Sequence, residues 1–172
     1  TIKDYPKKLN IKSFRNIEAY ILRLGCNLGN QKAIVIGLAE VYYHSKFEGV
    51  IIMDSDGEDK VEDILRLTKN NPKESITVAK RSSRSEGLIF KIFYSIYKYL
   101  FKLLSGESID FGNFCYVPWE RLEALVFNPN IWNNIAACIV KSNIPVYKIA
   151  ISKGLRYCGN SKMNFTKLIV HG

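Results

Sequence analysis

The sequence is poor in the side chains that bind metals through sulfur or nitrogen, since its 172 residues include four cysteines and two histidines. The cysteines are scattered, and no two of them have the C-x-x-C spacing that is typical of zinc ribbons and redox motifs. This distribution argues against a zinc site and against a disulfide framework. We predict that the cysteines are reduced residues of an intracellular protein core.

The sequence also lacks an internal repeat, a low-complexity tract and a linker rich in proline or glycine. A length of 172 residues falls within the range of about 100–200 residues that is usual for one domain. We therefore expect a single domain that spans residues 1–172.

Long uncharged apolar runs are missing as well. The longest apolar stretch, residues 87–104, contains Lys91, Lys98 and Lys102, so it does not resemble an ordinary membrane span. No charged segment followed by an apolar one opens the chain, and no secretory signal is predicted. Because its lysines share one helix face and aromatic residues surround them, the 87–104 segment is expected to lie at a membrane surface or, alternatively, in the core.

Positive charge, in contrast, is abundant. The 25 Lys and Arg residues exceed the 16 Asp and Glu residues by nine, and 47% of the chain is hydrophobic, which is enough to bury a core. An excess of this size favours a polyanionic partner such as nucleic acid, anionic lipid or a phosphorylated substrate. A basic but otherwise ordinary surface is the alternative, and charge alone does not decide between them.

Apolar runs of strand length alternate with helical patterns along the chain. Strands are predicted at residues 19–22, 49–53, 75–79, 114–117 and 145–151. Helices are predicted at residues 31–43, 61–69, 87–104, 119–127, 131–141 and 164–170, with loops at 81–87 and 152–162. This alternation predicts an α/β fold with a mostly parallel sheet, in which ligands bind at the carboxyl ends of the strands.

An acidic cluster follows the most apolar strand candidate directly. Asp54 and Asp56 leave the 49–53 run one residue apart, and two such carboxylates can hold Mg²⁺ or Mn²⁺, which would bridge to substrate phosphates. An EF-hand loop is excluded because its twelfth position is Leu65 instead of an acidic residue. The alternative is a helix N-terminus at which acidic residues stabilise the helix dipole.

Five short motifs occur in one order along residues 19–172: NLGNQKA at 27–33, IIMDSD at 51–56, Arg81, FGNF at 111–114 and GNSK at 159–162. Together they resemble the family-2 glycosyltransferases of GT-A fold, in the branch of dolichyl- and polyprenyl-phosphate sugar transferases. The resemblance implies a GT-A-like, Rossmann-like sheet flanked by helices. It also implies an enzyme that moves a sugar from a nucleotide-diphosphate sugar to a polyprenyl-phosphate lipid.

Two family motifs are missing, Pro-x-Tyr-Asn-Glu and Asp-Asp-Gly-Ser, which together hold the nucleotide in the resembling enzymes. We therefore expect an N-terminally truncated fragment that also stops where membrane helices follow in many relatives. The expected location is cytoplasmic, at the inner face of a membrane.

The resemblance also assigns candidate site residues. It implies that Asp54 and Asp56 bind Mg²⁺ or Mn²⁺ and that Asp56 takes part in catalysis. Phosphate-binding or other substrate-binding roles fall on Arg81, Arg84, Lys91, Ser95, Asn113, Arg156, Ser161 and Lys162. For the arginines at 81 and 84, a solvated turn is the alternative.

Asn113 stands where many relatives have Asp or Ser, and an asparagine cannot abstract a proton. A lipid phosphate acceptor is already anionic near neutral pH and needs no base, whereas a hydroxyl acceptor would need one, for which Asp110 is the candidate.

Two other functions stay open. One is a catalytically silent scaffold at a membrane surface. The other is a nucleic-acid-binding module, against which the dispersed basic residues and the acidic cluster argue, so no nucleic-acid partner is expected.

Overall fold

The computed structural model describes residues 4–9, 19–44, 46–69, 74–81 and 109–157. In these ranges strands and helices alternate along most of the chain. Their order is β1 (Asp4–Leu9), β2 (Ala19–Arg23), α1 (Asn30–His44), β3 (Gly49–Ile52), α2 (Glu62–Lys69), β4 (Ile76–Arg81), β5 (Cys115–Pro118), α3 (Trp119–Val126), a 3₁₀ turn (Pro129–Trp132), α4 (Ile135–Lys141) and β6 (Val146–Ile151).

The sequence analysis predicts no strand at β1, but every other described strand and helix occurs within a few residues of a predicted position. The helix predicted at 131–141 is interrupted, however, because Asn134 is extended and its side chain accepts a 3.0 Å hydrogen bond from the Ala137 N–H. Asparagine at this position starts a new helix instead of continuing the old one. The helices predicted at 87–104 and 164–170 lie outside the described residues. So does the loop predicted at 81–87, except for Arg81, which is the last residue of β4 and not part of a loop.

The main sheet is mixed, which corrects the prediction of a mostly parallel sheet. Its strand order among the described residues is β3-β5-β4-β6, with β4 parallel to β6 and β5 antiparallel to both of its neighbours. An apolar run reveals that a strand is buried on both faces, but it carries no information about the direction of the strand. The strands β1 and β2 form a separate antiparallel pair.

Helices cover both faces of the main sheet. On one face, α1, α3 and α4 pack around a large apolar cluster to which Ile52, Val78 and Val117 contribute from the sheet. On the other face, Leu67 of α2 packs with a smaller cluster from the alternate positions of the strands. Because side chains alternate between the faces of a strand, each strand serves both clusters. The result is a three-layer α/β/α arrangement.

Candidate functional site

Three chain segments meet at one edge of the main sheet. The strands β3, β4 and β6 run in the same direction and therefore end at this edge, whereas β5 begins there. The register confirms the alignment, because Ile52 and Val78 both lie opposite Cys115. The loop after β3, the segment before β5 and the chain after β6 are thus neighbours at the carboxyl edge, where ligands bind in α/β proteins.

The loop after β3, residues 54–59, is held in shape by its own side chains. Asp59 is 3% exposed, and its Oδ2 accepts a 2.9 Å hydrogen bond from the Asp54 N–H. The Oδ1 of Asp56 accepts a 3.0 Å hydrogen bond from the Glu58 N–H. Gly57 between them has a φ of +91°, a conformation that glycine adopts without steric cost. The loop is therefore a defined turn that presents Asp54 and Asp56 at the sheet edge.

The chain after β6 crosses this acidic loop. We call residues 153–157 the strap. Two backbone hydrogen bonds of 2.8 Å attach it, from the Gly154 N–H to the Glu58 carbonyl and from the Tyr157 N–H to the Asp56 carbonyl. The approach is so close that a Cβ added at Gly154 would overlap the carbonyl oxygen of Gly57. The strap and the acidic loop thus behave as one paired unit.

Ion pairs reinforce this pairing. The Nη2 of Arg156 lies 3.0 Å from Asp56 Oδ2 and 3.1 Å from Glu58 Oε1, and its Nε donates to the same Glu58 oxygen over 3.2 Å. The Nζ of Lys153 lies 2.9 Å from that oxygen. Burial acts to raise the pKa of Glu58, but hydrogen bonds from Lys153 and Arg156 outweigh it and hold the pKa below its usual value. Glu58 is accordingly a fixed anion between two cations.

The arrangement unites two of the predicted site residues, Asp56 and Arg156, which are 100 positions apart in the sequence. Asp54 belongs to the same loop. In the described part of the chain, no three or more His, Cys, Asp or Glu side chains are grouped to hold a metal ion. A magnesium site of few protein ligands needs one or two carboxylates and takes its remaining oxygens from water and phosphate. Asp54 and Asp56 would supply those carboxylates, and Oδ2 of Asp56 is at present paired with the Arg156 guanidinium over 3.0 Å.

Asp110 has a different environment from that of a free base. Its two carboxylate oxygens lie 2.8 Å from the Nζ of Lys80 and 2.8 Å from the Nζ of Lys148. Burial would raise the pKa of Asp110, but the hydrogen bonds from Lys148 and Lys80 prevail and lower it. A carboxylate with a lowered pKa and two cationic partners accepts a proton poorly, which disfavours Asp110 as the substitute base.

Asn113 links the segment before β5 to two helices. Its Oδ1 accepts a 3.2 Å hydrogen bond from Gln31 Nε2, and the Oε1 of Gln31 accepts a 3.1 Å hydrogen bond from the Ile135 N–H at the start of α4. This contact gives Asn113 a structural function at the sheet edge. Its role toward a substrate stays a prediction.

Arg81 is the last residue of β4 and lies opposite Ile151 in the register, so its backbone is at the carboxyl edge. The other predicted phosphate-binding residues lie outside the described residues; they are Arg84, Lys91, Ser95, Ser161 and Lys162. Three contributors to the site were not among the predicted residues: Asp59, Glu58 and Lys153. Their signal in the sequence is weak, because Glu58 and Asp59 are the last residues of the acidic cluster after β3 and Lys153 is the second residue after β6.

Comparison with models of protein families, with curated proteins and with solved structures finds no match. None of the described helices is long and apolar enough to cross a membrane.

Proposed function

We propose that this chain carries the catalytic part of a metal-dependent, family-2 glycosyltransferase of GT-A fold. It transfers a sugar from a nucleotide-diphosphate sugar to a polyprenyl-phosphate lipid at the cytoplasmic face of a membrane. The observation that supports this most is the meeting of Asp56 and Arg156 at the carboxyl edge of the sheet, where the two nearest atoms are 3.0 Å apart. An acidic pair for a cation and a guanidinium for phosphate oxygens are the two elements that binding of a diphosphate requires.

In this proposal Asp54 and Asp56 hold Mg²⁺ or Mn²⁺, which when bound supplies positive charge to the leaving diphosphate. The protein fixes the backbone of Asp54 and the carboxylate of Asp56 beforehand, because buried Asp59 accepts the Asp54 N–H and the Glu58 N–H donates to Asp56. A preorganised turn of this kind needs no rearrangement when charge develops on the substrate. Arg156 supplies donors to a phosphate from the strap.

The acceptor in this proposal is a phosphate and not a hydroxyl. Asn113 cannot abstract a proton, and Asp110 is ion-paired with two lysines. A hydroxyl acceptor would require a base, whereas a phosphate monoester is an anionic nucleophile near neutral pH. The charges at the edge therefore favour a lipid phosphate.

A transfer assay with the full-length enzyme tests the proposal. A range of labelled nucleotide sugars is offered with polyprenyl phosphate or with the corresponding polyprenol. We expect Mn²⁺- or Mg²⁺-dependent transfer to the phosphate alone. Asp56→Asn should lower the rate by about tenfold to a hundredfold, the loss expected for one charge-assisted contact. Glu62→Gln, an acid-to-amide change on the exposed start of α2, is the matched control. Transfer to the polyprenol, or equal rates in Asp56→Asn and Glu62→Gln, would contradict the proposal.

A further inference from the structure

Both carboxylate oxygens of Asp56 have partners in the protein. Oδ1 accepts the Glu58 N–H within the loop, and Oδ2 lies 3.0 Å from the Nη2 of Arg156. The Asp56 and Arg156 side chains are 31% and 28% exposed, so the pair is half-buried and is reached from solvent. Oδ2 of Asp56 is thus already neutralised by a guanidinium.

The guanidinium has a second anchor. Its Nε and Nη2 both donate to Glu58 Oε1, at 3.2 and 3.1 Å, and Glu58 is only 13% exposed. The hydrogen bond from Nε to Glu58 thus does not depend on the contact of Nη2 with Asp56. The backbone hydrogen bonds of the strap involve Gly154 and Tyr157, and they do not depend on the Asp56 contact.

We propose that Arg156 is an exchangeable counter-ion of Asp56. In the metal-free protein its guanidinium neutralises the carboxylate. When a divalent cation takes this position, the guanidinium turns away on its Glu58 anchor and its free N–H groups bind an oxygen of the substrate diphosphate. This inference rests on the proposed function, since it concerns the same cation and the same class of substrate.

The reason is electrostatic. A divalent cation on Asp56 Oδ2 would bring two further positive charges next to the Arg156 guanidinium, and like charges repel in a half-buried site. An ion at Asp56 therefore competes with Arg156, and a diphosphate relieves the competition by accepting hydrogen bonds from the displaced guanidinium. Cation and diphosphate should consequently strengthen the binding of each other.

The test measures the affinity for Mn²⁺ alone, by electron paramagnetic resonance of the free ion, in the absence of any sugar donor. Arg156→Gln removes the competing cation and should bind Mn²⁺ about fivefold more tightly, which corresponds to about 1 kcal/mol for a partly exposed ion pair. Lys153→Gln is the matched control, because it removes an equal charge from Glu58 Oε1 but does not touch Asp56. It should change the Mn²⁺ affinity less than twofold. Mn²⁺ binding that Asp56→Asn abolishes is assigned to this site.

Equal or weaker Mn²⁺ binding by Arg156→Gln, with binding that Asp56→Asn still abolishes, would overturn the exchange and leave the proposed metal site intact. If the wild-type protein shows no Mn²⁺ binding that Asp56→Asn abolishes, the proposed metal-dependent function fails, and the exchange fails with it. Equal tightening by Arg156→Gln and Lys153→Gln would also overturn the exchange, because a general charge effect would then explain both.

A second measurement uses the wild-type protein and so does not depend on the folding of a variant. The Nε–H signal of Arg156 in a ¹⁵N NMR spectrum, assigned through its own backbone amide, reports on the guanidinium directly. Saturating Mg²⁺ should shift this signal and accelerate its exchange with water, and inorganic diphosphate added afterwards should slow the exchange again. A signal that Mg²⁺ leaves unchanged would overturn the proposal.

Discussion

A single substitution, Gly154→Ala, is expected to break the contact between the strap and the acidic loop. Gly154 is the point of closest approach, since a Cβ at this position would overlap the Gly57 carbonyl oxygen and lie 3.2 Å from the Glu58 carbonyl oxygen. Both neighbours are backbone atoms, which cannot turn away as a side chain can. Gly154→Ala must therefore push the strap off the loop or deform the loop beneath it.

The expected cost has two parts. Displacing the strap lengthens the 2.8 Å hydrogen bond from the residue 154 N–H to the Glu58 carbonyl, and one such bond contributes about 0.5–1.5 kcal/mol. Fitting a methyl group where there is no room costs about 1–3 kcal/mol. A shift of the strap that breaks this hydrogen bond also relieves part of the steric overlap, so the two costs do not add in full. We therefore expect the strap to lose about 1–3 kcal/mol of local stability.

Amide hydrogen exchange, followed by mass spectrometry, measures this quantity at the Tyr157 N–H, which donates to the Asp56 carbonyl. Its exchange in Gly154→Ala should be about five to a hundred times faster than in the wild-type protein, the factors that correspond to about 1–3 kcal/mol. Gly112→Ala is the control, because nothing lies within 4 Å of a Cβ at that exposed glycine. Equal exchange in the two variants would refute the close approach of strap and loop.

Three further predictions concern other parts of the molecule. The prediction that the cysteines lie in the core is wrong for Cys26, which is exposed and should react with a thiol reagent at pH 8 in the native protein. Buried Cys115, whose pKa burial raises to about 12, should react only after unfolding. Peptide mapping distinguishes the two residues, and equal rates would contradict the burial. The pKa of Glu58 is lowered in the folded protein, so the carboxylate contributes its full stability above about pH 4.3 and loses it as the pH falls through the folded-state pKa. Glu58→Gln should therefore make the free energy of unfolding depend less steeply on pH in the acid range. An unchanged pH dependence would show that the carboxylate contributes nothing. Asn134→Ala should lower the free energy of unfolding by about 1 kcal/mol in urea, because the cap of α4 is lost, and a change below a few tenths would show that the cap is unimportant.

The positions of most described elements follow from hydrophobic periodicity, and their arrangement does not. The buried run of β5 looks the same in either direction, because side chains alternate along a strand whichever way it runs. Its antiparallel pairing with β3 and β4 is decided by the path of the chain and not by its own residues. In the same way, Asn134 has a polar side chain that fits a loop, a cap or a helix surface, and only its contact with the Ala137 N–H identifies it as a cap.

The candidate site was predictable where it depends on a local pattern. Asp54 and Asp56 directly follow a buried apolar run, and residues that follow such a strand are expected at the carboxyl edge of an α/β sheet. Asp59 was not predictable in this way: its hydrogen bond to the Asp54 N–H depends on the turn that Gly57 permits, and its burial depends on the sheet beneath it. Lys153 depends on the register of β6, which no local pattern determines.

The charge balance of the acidic loop connects its folding to its proposed use. Residues 54–59 contain four carboxylates, and like charges so close together repel one another. The compensating cations come from the strap, which follows the carboxyl end of β6. Lys153 and Arg156 lie within 3.2 Å of Glu58, and Arg156 also contacts Asp56. The strap therefore supplies positive charge that offsets the repulsion among these carboxylates. In the proposed function, a divalent cation would arrive at a loop that is already neutralised in part, so its binding would displace charge instead of simply adding it.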